Sequence, residues 1–286
     1  MPPEPEPPVI SAEDNSTSGL FPKGFTDLYE VHSYRNAARI LRYACEPEFN
    51  ELISKLMGFR IKTADMVAGG KNKSKIAIDM DKLLHPLGWH ETRIAGDLYI
   101  RLMGGSKPKA KKPKKGKGAP AATTEPEPYD FKIPRFVDGH KIDFVKERVA
   151  FDMEWNSKDQ TFDRDLYAMR TFYDCNIITV GVLLTRSADL KTLFAEIQNR
   201  TAIKGFKSKY GASTTWMDKL IYRMNAGRAG GCPILVLGIK PSVVSDFEEW
   251  TKAHPVKSIK PFEIEAPEGE ETEDSEESEE GGGGEE

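Results

Sequence analysis

The stretch HKIDFVKERVAFDMEWNSKDQTFDRDL, residues 140–166, decides the fold and the chemistry of this chain. Its centre, residues 148–155, alternates strictly between two sides of the backbone. One side carries Phe151, Met153 and Trp155, and the other carries Asp152 and Glu154. Such alternation predicts a half-buried β-strand. Asp143 lies upstream across a predicted turn at residues 146–148, so we expect it to return to the same end of the strand.

Three carboxylates at one end of an apolar strand suggest a cation site. Acids packed among apolar side chains are costly to hold together without a positive partner. Divalent cations take carboxylate and carbonyl oxygens as ligands. Asp143, Asp152 and Glu154 therefore form a candidate metal-dependent active site. The alternative is a solvated strand face whose acids bind nothing.

The sequence around this strand predicts the rest of the fold. A helix is expected at residues 163–175, with Asp163 as its N-cap. Residues 176–184 and 232–239 are continuous apolar runs, which are typical of strands covered on both faces. Two helices are predicted between those runs, the first capped by Ser187 and the second ended by Gly227. This order predicts an α/β fold, an αβα sandwich with a central mixed β-sheet.

The segment before this core has a different pattern. The apolar spacing of residues 25–59 predicts helix, either as two helices or as one broken at Pro47.

The stretch DFVKERVAFDMEWNSKDQTFDRDL resembles the core of the BglII/BstYI-type restriction endonucleases, a branch of the PD-(D/E)xK nuclease superfamily. In that pattern an Asp is followed nine residues later by an acid, then by one spacer and a third polar residue. Asp143, Asp152 and Glu154 fill these places. Two departures are visible. The second position is often Glu in this branch. The third is Lys in the wider superfamily and Gln in close relatives, although an acid also occurs in the related BamHI type.

The resemblance implies a type II restriction endonuclease that hydrolyses DNA phosphodiester bonds. Asp143 and Asp152 are then metal ligands, with the backbone carbonyl of Met153 as a third. Mg²⁺ is the expected cofactor, one or two ions per site, because every ligand is a hard oxygen. Glu154 is the candidate to orient or deprotonate the attacking water, or to bind a second ion. Lys158 is either a cation facing the scissile phosphate or a surface lysine.

DNA contacts are predicted from the loop KSKYGASTTW at residues 207–216, the predicted reading loop, and from two single residues elsewhere. Reading a sequence requires donors and acceptors at base edges in the major groove. The candidates are Lys209, Tyr210, Ser213, Thr214, Thr215, Asn156 and Arg228. For Arg228, stabilisation of a turn is an equal alternative. The resemblance further implies double-stranded DNA as substrate, a palindromic site containing GATC, a homodimer and a cognate DNA methyltransferase.

Two other functions remain open from the sequence. One is a repair, resolvase or phage nuclease that recognises DNA structure and cuts branched or single-stranded DNA at no fixed site. The other is a DNA-binding protein without catalysis, in which Asp152 and Glu154 are remnants.

Composition sets the limits of the domain. We expect a disordered arm at residues 1–22, a single nuclease domain at 23–262 and a disordered acidic tail at 263–286. The tail holds 13 of the 45 acidic residues and none of the 41 basic ones, so the rest of the chain is basic and suits a polyanion. A flexible insert is expected at residues 104–128, with seven Lys between positions 107 and 117.

Cysteine and hydropathy patterns indicate the compartment. The three cysteines are widely spaced and suggest neither disulfides nor a zinc motif. No apolar run is long enough to span a membrane. A soluble cytoplasmic protein is therefore expected.

Overall fold

The structure is a computed structural model that describes residues 12–14, 17–68, 73–102, 129–201 and 206–256. The Lys-rich insert at 104–128, the acidic tail at 263–286 and most of the predicted arm at 1–22 lie outside the described residues. The described strands are β1 Tyr29–Tyr34, β2 His90–Leu102, β3 Tyr129–Lys146, β4 Val149–Met153, β5 Val180–Arg186 and β6 Ile234–Ile239. The described helices are α1 Phe25–Leu28, α2 Ala37–Ala44, α3 Glu46–Gly58, α4 Thr63–Val67, α5 Lys75–Leu84, α6 Thr161–Asp174, α7 Leu190–Thr201, α8 Phe206–Lys209, α9 Met217–Asn225 and α10 Phe247–Ala253. Short 3-10 turns occur at His85–Leu87 and Pro241–Val243.

The six strands form one mixed sheet in the order β1-β6-β5-β4-β3-β2. Its centre is parallel, since β4 pairs with β5 and β5 with β6 in the same direction. The outer pairs β1–β6, β2–β3 and β3–β4 are antiparallel. The predicted mixed sheet is confirmed.

Helices pack on both faces of the sheet. On one face, Phe151 and Val182 belong to a cluster with buried residues of α2, α3, α5 and α7. On the other face, Ala150 and Leu183 pack with α6 and α9. The αβα sandwich is therefore confirmed. The helices α6 and α9 cover the side of β4 that carries Asp152.

The β4 strand differs from the half-buried strand that its alternation predicts. All five of its residues are buried, including Asp152. The reason is that α6 and α9 cover the second face, and local alternation carries no information about helices that pack there later in the chain.

The first segment also departs from the helical prediction. Residues 37–58 do form two helices, and Pro47 lies in the first turn of the second, where a missing N–H is tolerated. Before them, however, Tyr29–Tyr34 is an edge strand paired with β6, from Tyr29 opposite Ile239 to Tyr34 opposite Ile234. This pairing with a partner some 200 residues away overrides the helical spacing.

The predicted boundaries near the site shift by a few residues. Helix α6 begins at Thr161, and Asp163 lies in its first turn instead of capping it. Asp163 instead forms ion pairs with Arg223 and Arg228 at the end of α9. Ser187 precedes α7, and its hydroxyl oxygen accepts the Asp189 N–H at 3.3 Å.

Candidate active site

The β3–β4 hairpin places two of the predicted acids side by side. Its register pairs Phe144 with Phe151 and Lys146 with Val149 around a turn at residues 147–148. One step further, the same register sets Asp143 opposite Asp152. The two carboxyl groups are close enough for Asp143 to raise the pKa of Asp152. The turn lets the chain reverse within two residues, and Glu147 adopts a positive φ of 47° there.

Asp152 is the most strongly perturbed acid of the site. It is 4% exposed, and its Oδ1 accepts the backbone N–H of Met153 at 3.0 Å. Burial raises the pKa of its carboxyl group well above the usual value, and the nearby charges of Asp165, Asp143 and Glu154 raise it further. In the absence of a cation, the site therefore favours a protonated Asp152.

Glu154 lies just past β4 and is fixed by its backbone. Its N–H donates to the Leu184 carbonyl at 2.9 Å, and its carbonyl accepts the Thr185 hydroxyl at 2.9 Å. The residue is 6% exposed, and burial raises the pKa of its carboxyl group. Hydrogen bonds from neighbouring residues and the charge of Arg164, whose Nη2 lies 3.5 Å from Oε1, act in the opposite direction.

Asp165 is a fourth acid that the sequence analysis did not assign to the site. It projects from α6, is 1% exposed and lies beside Glu154. Its Oδ2 is buried without a hydrogen-bond partner among the described residues. Burial, followed by the charge of Glu154, raises the pKa of Asp165 to about 8. A signal for it exists in the sequence, because Asp165 interrupts the buried stripe of α6 formed by Phe162, Leu166, Met169 and Phe172.

Two cations border these acids. Arg164 donates to Oδ1 of Asp165 through Nε at 3.1 Å and Nη2 at 3.0 Å. Lys141 is close enough for the charges of Asp143 and Asp152 to act on it, and its Nζ is 2.5 Å from Glu91 Oε2. The cluster thus holds four acids and is flanked by one cation from the sheet and one from α6.

The two predicted residues that follow the strand have different surroundings. Lys158 is exposed, and its backbone forms an isolated bridge with Thr214. Within the described residues, no hydrogen bond or ion pair joins its side chain to Asp143, Asp152 or Glu154. Asn156 is partly buried, and its Oδ1 has no hydrogen-bond partner in the described part of the chain.

The predicted reading loop is anchored to the catalytic strand. The Thr215 N–H donates to the Ser157 carbonyl at 2.9 Å, and the Asp159 N–H donates to the Ser213 carbonyl at 3.1 Å. The Thr215 hydroxyl also contacts the Glu154 carbonyl at 3.4 Å. The structure therefore brings this loop to the acids.

Most of the predicted reading side chains are already engaged within the protein. Lys209 donates to the carbonyls of Met66 at 3.0 Å and Ala68 at 2.6 Å, and the Tyr210 hydroxyl donates to Met66 at 2.9 Å. Thr214 and Thr215 are buried, whereas Ser213 is exposed. Arg228 is exposed and paired with Asp163, which links α6 to the end of α9.

Arg186, like Asp165 and Arg164, is a residue that the sequence analysis did not single out. It is fully buried at the end of β5, and its guanidinium carbon lies 4.0 Å from the ring centroid of Trp216. Its Nη2 donates to the Thr214 hydroxyl at 2.7 Å and, with Nε, to the Thr215 carbonyl, while its Nη1 has no partner among the described residues. Burial lowers the pKa of this guanidinium to about 9. Arg186 thus fixes the loop that reaches the acids.

The acids offer the donor set of a hard divalent cation. They supply carboxylate oxygens and an unpartnered buried oxygen, which are the groups that Mg²⁺ prefers. Across the described ranges, no three His, Cys, Asp or Glu side chains stand in the arrangement of a metal cage. No helix in the described part of the chain is long and apolar enough to cross a membrane.

Comparison with known protein families relates this chain to one of them. The family model described as restriction endonuclease BglII/BglIII matches residues 29–239, from the start of β1 to the end of β6. The matched range contains all four acids, Arg164 and the loop held by Arg186. No curated protein matches the chain.

Proposed function

The chain belongs to the restriction endonuclease BglII/BglIII family, and from that premise we propose that it is a type II site-specific deoxyribonuclease. It would hydrolyse double-stranded DNA, with Mg²⁺, at a short palindrome containing GATC. The observation that carries this proposal is the convergence of Asp143, Asp152 and Glu154 at the end of β4. Burial and nearby acids raise the pKa of Asp152 and of Glu154, and acids perturbed in this way at a cost to stability are typical of a functional site.

The metal would be held by the acids next to the hairpin. The proposed ligands of the first ion are the carboxylates of Asp143 and Asp152 and the backbone carbonyl of Met153. Glu154 would bind a second ion. When bound, the cation supplies Lewis-acid neutralisation of the phosphate and lowers the pKa of a coordinated water. The fit rests on the donor set and on the mutual repulsion of the acids, which a divalent cation would relieve.

The protein's own groups would orient the reactants. Glu154 is held rigid by its N–H and carbonyl bonds, so its carboxylate can accept a proton from the attacking water and aim that water at phosphorus. The raised pKa of Glu154 brings its proton affinity closer to that of a general base at neutral pH. Lys158, as an exposed residue beside the reading loop, would contact DNA phosphate.

Sequence reading would combine the loop with neighbouring residues. We propose that Ser213 and Asn156 present donors and acceptors to base edges and that Arg228 contacts DNA. Lys209, Tyr210, Thr214 and Thr215 would contribute through the shape of the loop, or directly if their present bonds are exchanged on binding. Because the loop is hydrogen-bonded to Ser157 and Asp159, a base contact there is transmitted to the catalytic strand.

The assembly would follow from the palindrome. Two-fold symmetric DNA is read by a two-fold symmetric protein, so a homodimer with one active site per strand is proposed. A cognate DNA methyltransferase in the same cytoplasm would protect the cell's own sites.

A plasmid digest tests the proposal. The wild type is compared with Asp143→Ala and Glu154→Ala, with and without Mg²⁺. Asp174→Ala is the matched control, because Asp174 is an exposed acid at the far end of α6. We expect discrete bands that require Mg²⁺, persist in the control and vanish in both site variants, and sequencing of the ends gives the site. Nicking or smearing without bands would instead indicate a structure-directed nuclease. DNA binding without cleavage in any divalent metal would indicate a binding protein.

A further inference from the structure

Arg164 combines solvent exposure with a fixed guanidinium. Its side chain is 69% exposed, yet Nε and Nη2 both donate to Oδ1 of the almost completely buried Asp165. The same Nη2 lies 3.5 Å from Glu154 Oε1. The cation is therefore held beside the carboxylates by a buried acid, while most of its surface stays exposed to solvent.

An ion pair that serves stability alone accounts poorly for this arrangement. Exposed ion pairs contribute little to stability, and burying Asp165 beneath one is unfavourable. A guanidinium has five N–H donors. Among the described residues, only Asp165 and Glu154 bond to that of Arg164, which leaves Nη1 available to a ligand.

The other cations near the acids are placed differently. Asp152 on β4 and Glu154 just past its end are both acids, and none of the residues of β4 is a cation. Lys141 is bonded to Glu91, and the side chain of Lys158 bonds to none of the three predicted acids. Of the cations in the described part of the chain, Arg164 is thus the one whose contacts to Glu154 and Asp165 are direct, and it comes from α6.

We propose that Arg164 is a catalytic residue that donates hydrogen bonds to the non-bridging oxygens of the scissile phosphate, with Asp165 as its positioning residue. This inference rests on the proposed nuclease function. In hydrolysis, the water oxygen bonds to phosphorus, a water proton passes to Glu154, and the P–O3′ bond breaks with its electrons on O3′, which takes up a proton from solvent. Negative charge grows on the non-bridging oxygens during this step, and a planar guanidinium fork matches two of them.

Single-turnover cleavage tests the role. The substrate is a duplex carrying the site identified from the wild-type ends, and the variants are Arg164→Ala and Arg164→Lys. Arg170→Ala is the matched control, an exposed arginine on the same helix that pairs with Asp174. We expect Arg164→Ala to cut on the order of 10²–10³-fold more slowly, Arg164→Lys to recover part of the rate, and the control to cut like the wild type. Thermal unfolding of each variant verifies that it is folded.

A binding measurement separates phosphate contact from a structural role. Affinity is measured in Ca²⁺ for duplexes with a normal phosphate or a neutral methylphosphonate at the cleaved position. We expect neutralisation to weaken wild-type binding several-fold more than Arg164→Ala binding, because the variant has already lost one of the contacts to that phosphate. A structural role would leave the same penalty in both proteins and overturn the proposal, as would wild-type cleavage by Arg164→Ala.

The same design distinguishes this inference from the proposed function. If the wild type binds a site without cutting it, the proposed function fails. Methylphosphonates placed through the footprint then still decide whether Arg164 contacts a phosphate. Loss of cleavage in Lys141→Ala with full activity in Arg164→Ala would assign the phosphate contact to Lys141 and overturn the proposal.

Discussion

Asp152 and Asp165 are almost completely buried, and burial raises the pKa of both carboxyl groups. Neither is matched by a buried cation, since Arg164 is largely exposed and Asp165 keeps an unpartnered oxygen. A protein gains no stability from this arrangement. This cost is what our proposal accounts for, in which a cation and a phosphate complete the site on binding.

Asp165→Asn is predicted to flatten the pH dependence of stability of the metal-free protein. The folded-state pKa of about 8 lies above the ordinary aspartate pKa of 3.8. The folded protein thus holds a proton that the unfolded chain releases between these values. The contribution of Asp165 to the free energy of unfolding is fully present below pH 4 and is lost as the pH rises toward 8. We expect the stability of Asp165→Asn relative to the wild type to be greater at pH 8.5 than at pH 5 by on the order of 2 kcal/mol. The full pKa difference is not realised, because Glu154 and Arg164 share in the titration.

Urea unfolding at the two pH values measures this difference. Asp174→Asn serves as the control, because its carboxylate is exposed at the other end of α6. An equal stability gain at pH 5 and pH 8.5 would contradict the prediction.

Divalent cations are predicted to stabilise the wild type and to lose this effect in Asp152→Asn. A ligand that binds only the folded state adds about 2.7 kcal/mol at 100 times its Kd. Removing one carboxylate weakens binding, while relief of repulsion raises the stability of the metal-free variant. Thermal unfolding with Ca²⁺ or with EDTA gives both quantities. A Ca²⁺-induced shift of equal size in the variant would argue against Asp152 as a ligand.

The sequence predicts these residues unevenly. Asp143, Asp152 and Glu154 follow from strand alternation and one turn, which are local patterns. Asp165 and Arg164 were not assigned to the site because they reach it through the packing of α6 on the sheet, and no local pattern gives the rotation of a helix about its axis. The buried acid within the apolar stripe of α6 is the clue that was available.

At the scale of elements, the site depends on how β4, β5 and the loop at residues 211–216 are joined. The centre of the sheet is predictable, since continuous apolar runs yielded β5 and β6. The edge strand β1 is not, because its six residues become a strand only by pairing with β6. Arg186 shows the same limit, since nothing in its local sequence indicates that four aromatic rings surround its guanidinium.

Arg186→Lys is predicted to destabilise the protein more than Arg186→Met. Lysine keeps a buried charge but loses the planar fork that bonds to Thr215, so burial of its ammonium is poorly compensated. Methionine removes the charge and fills much of the space. We expect a loss of about 2–4 kcal/mol for lysine, as for other buried charges left without full partners, and a smaller one for methionine. Urea unfolding at pH 7 measures both, and better tolerance of lysine would contradict the argument.

At the scale of the whole molecule, a long antiparallel ribbon leads away from the site. Strands β2 and β3 pair from His90 opposite Val145 to Leu102 opposite Tyr129. The Lys-rich insert joins the ends of these strands in the sequence. The composition of the insert predicts that it is flexible and basic. The structure adds that the two strands on either side of the insert, β2 and β3, are paired with each other.

Replacing the seven lysines between positions 107 and 117 by serine is predicted to reduce the salt dependence of non-specific DNA binding. Each phosphate contact contributes about 0.9 to the slope of log K against log salt. We therefore expect the slope to fall by up to roughly 6, with unchanged cleavage specificity at low salt. Titration of a random-sequence duplex at several salt concentrations measures it. An unchanged slope would mean that these lysines do not contact DNA.

The acidic tail is predicted to act against that attraction. Its 13 acids at residues 263–286 are joined to a basic remainder, so they compete with DNA for the same cations. Deleting the tail should tighten non-specific binding at low salt. The gain should fade as salt rises, because the screening length falls from about 10 Å at 0.1 M to about 3 Å at 1 M. A variant with a Gly/Ser tail of equal length separates charge from bulk. If the Gly/Ser variant binds like the wild type while the deletion variant binds more tightly, the tail acts by its volume. If neither variant differs from the wild type, the tail does not compete with DNA.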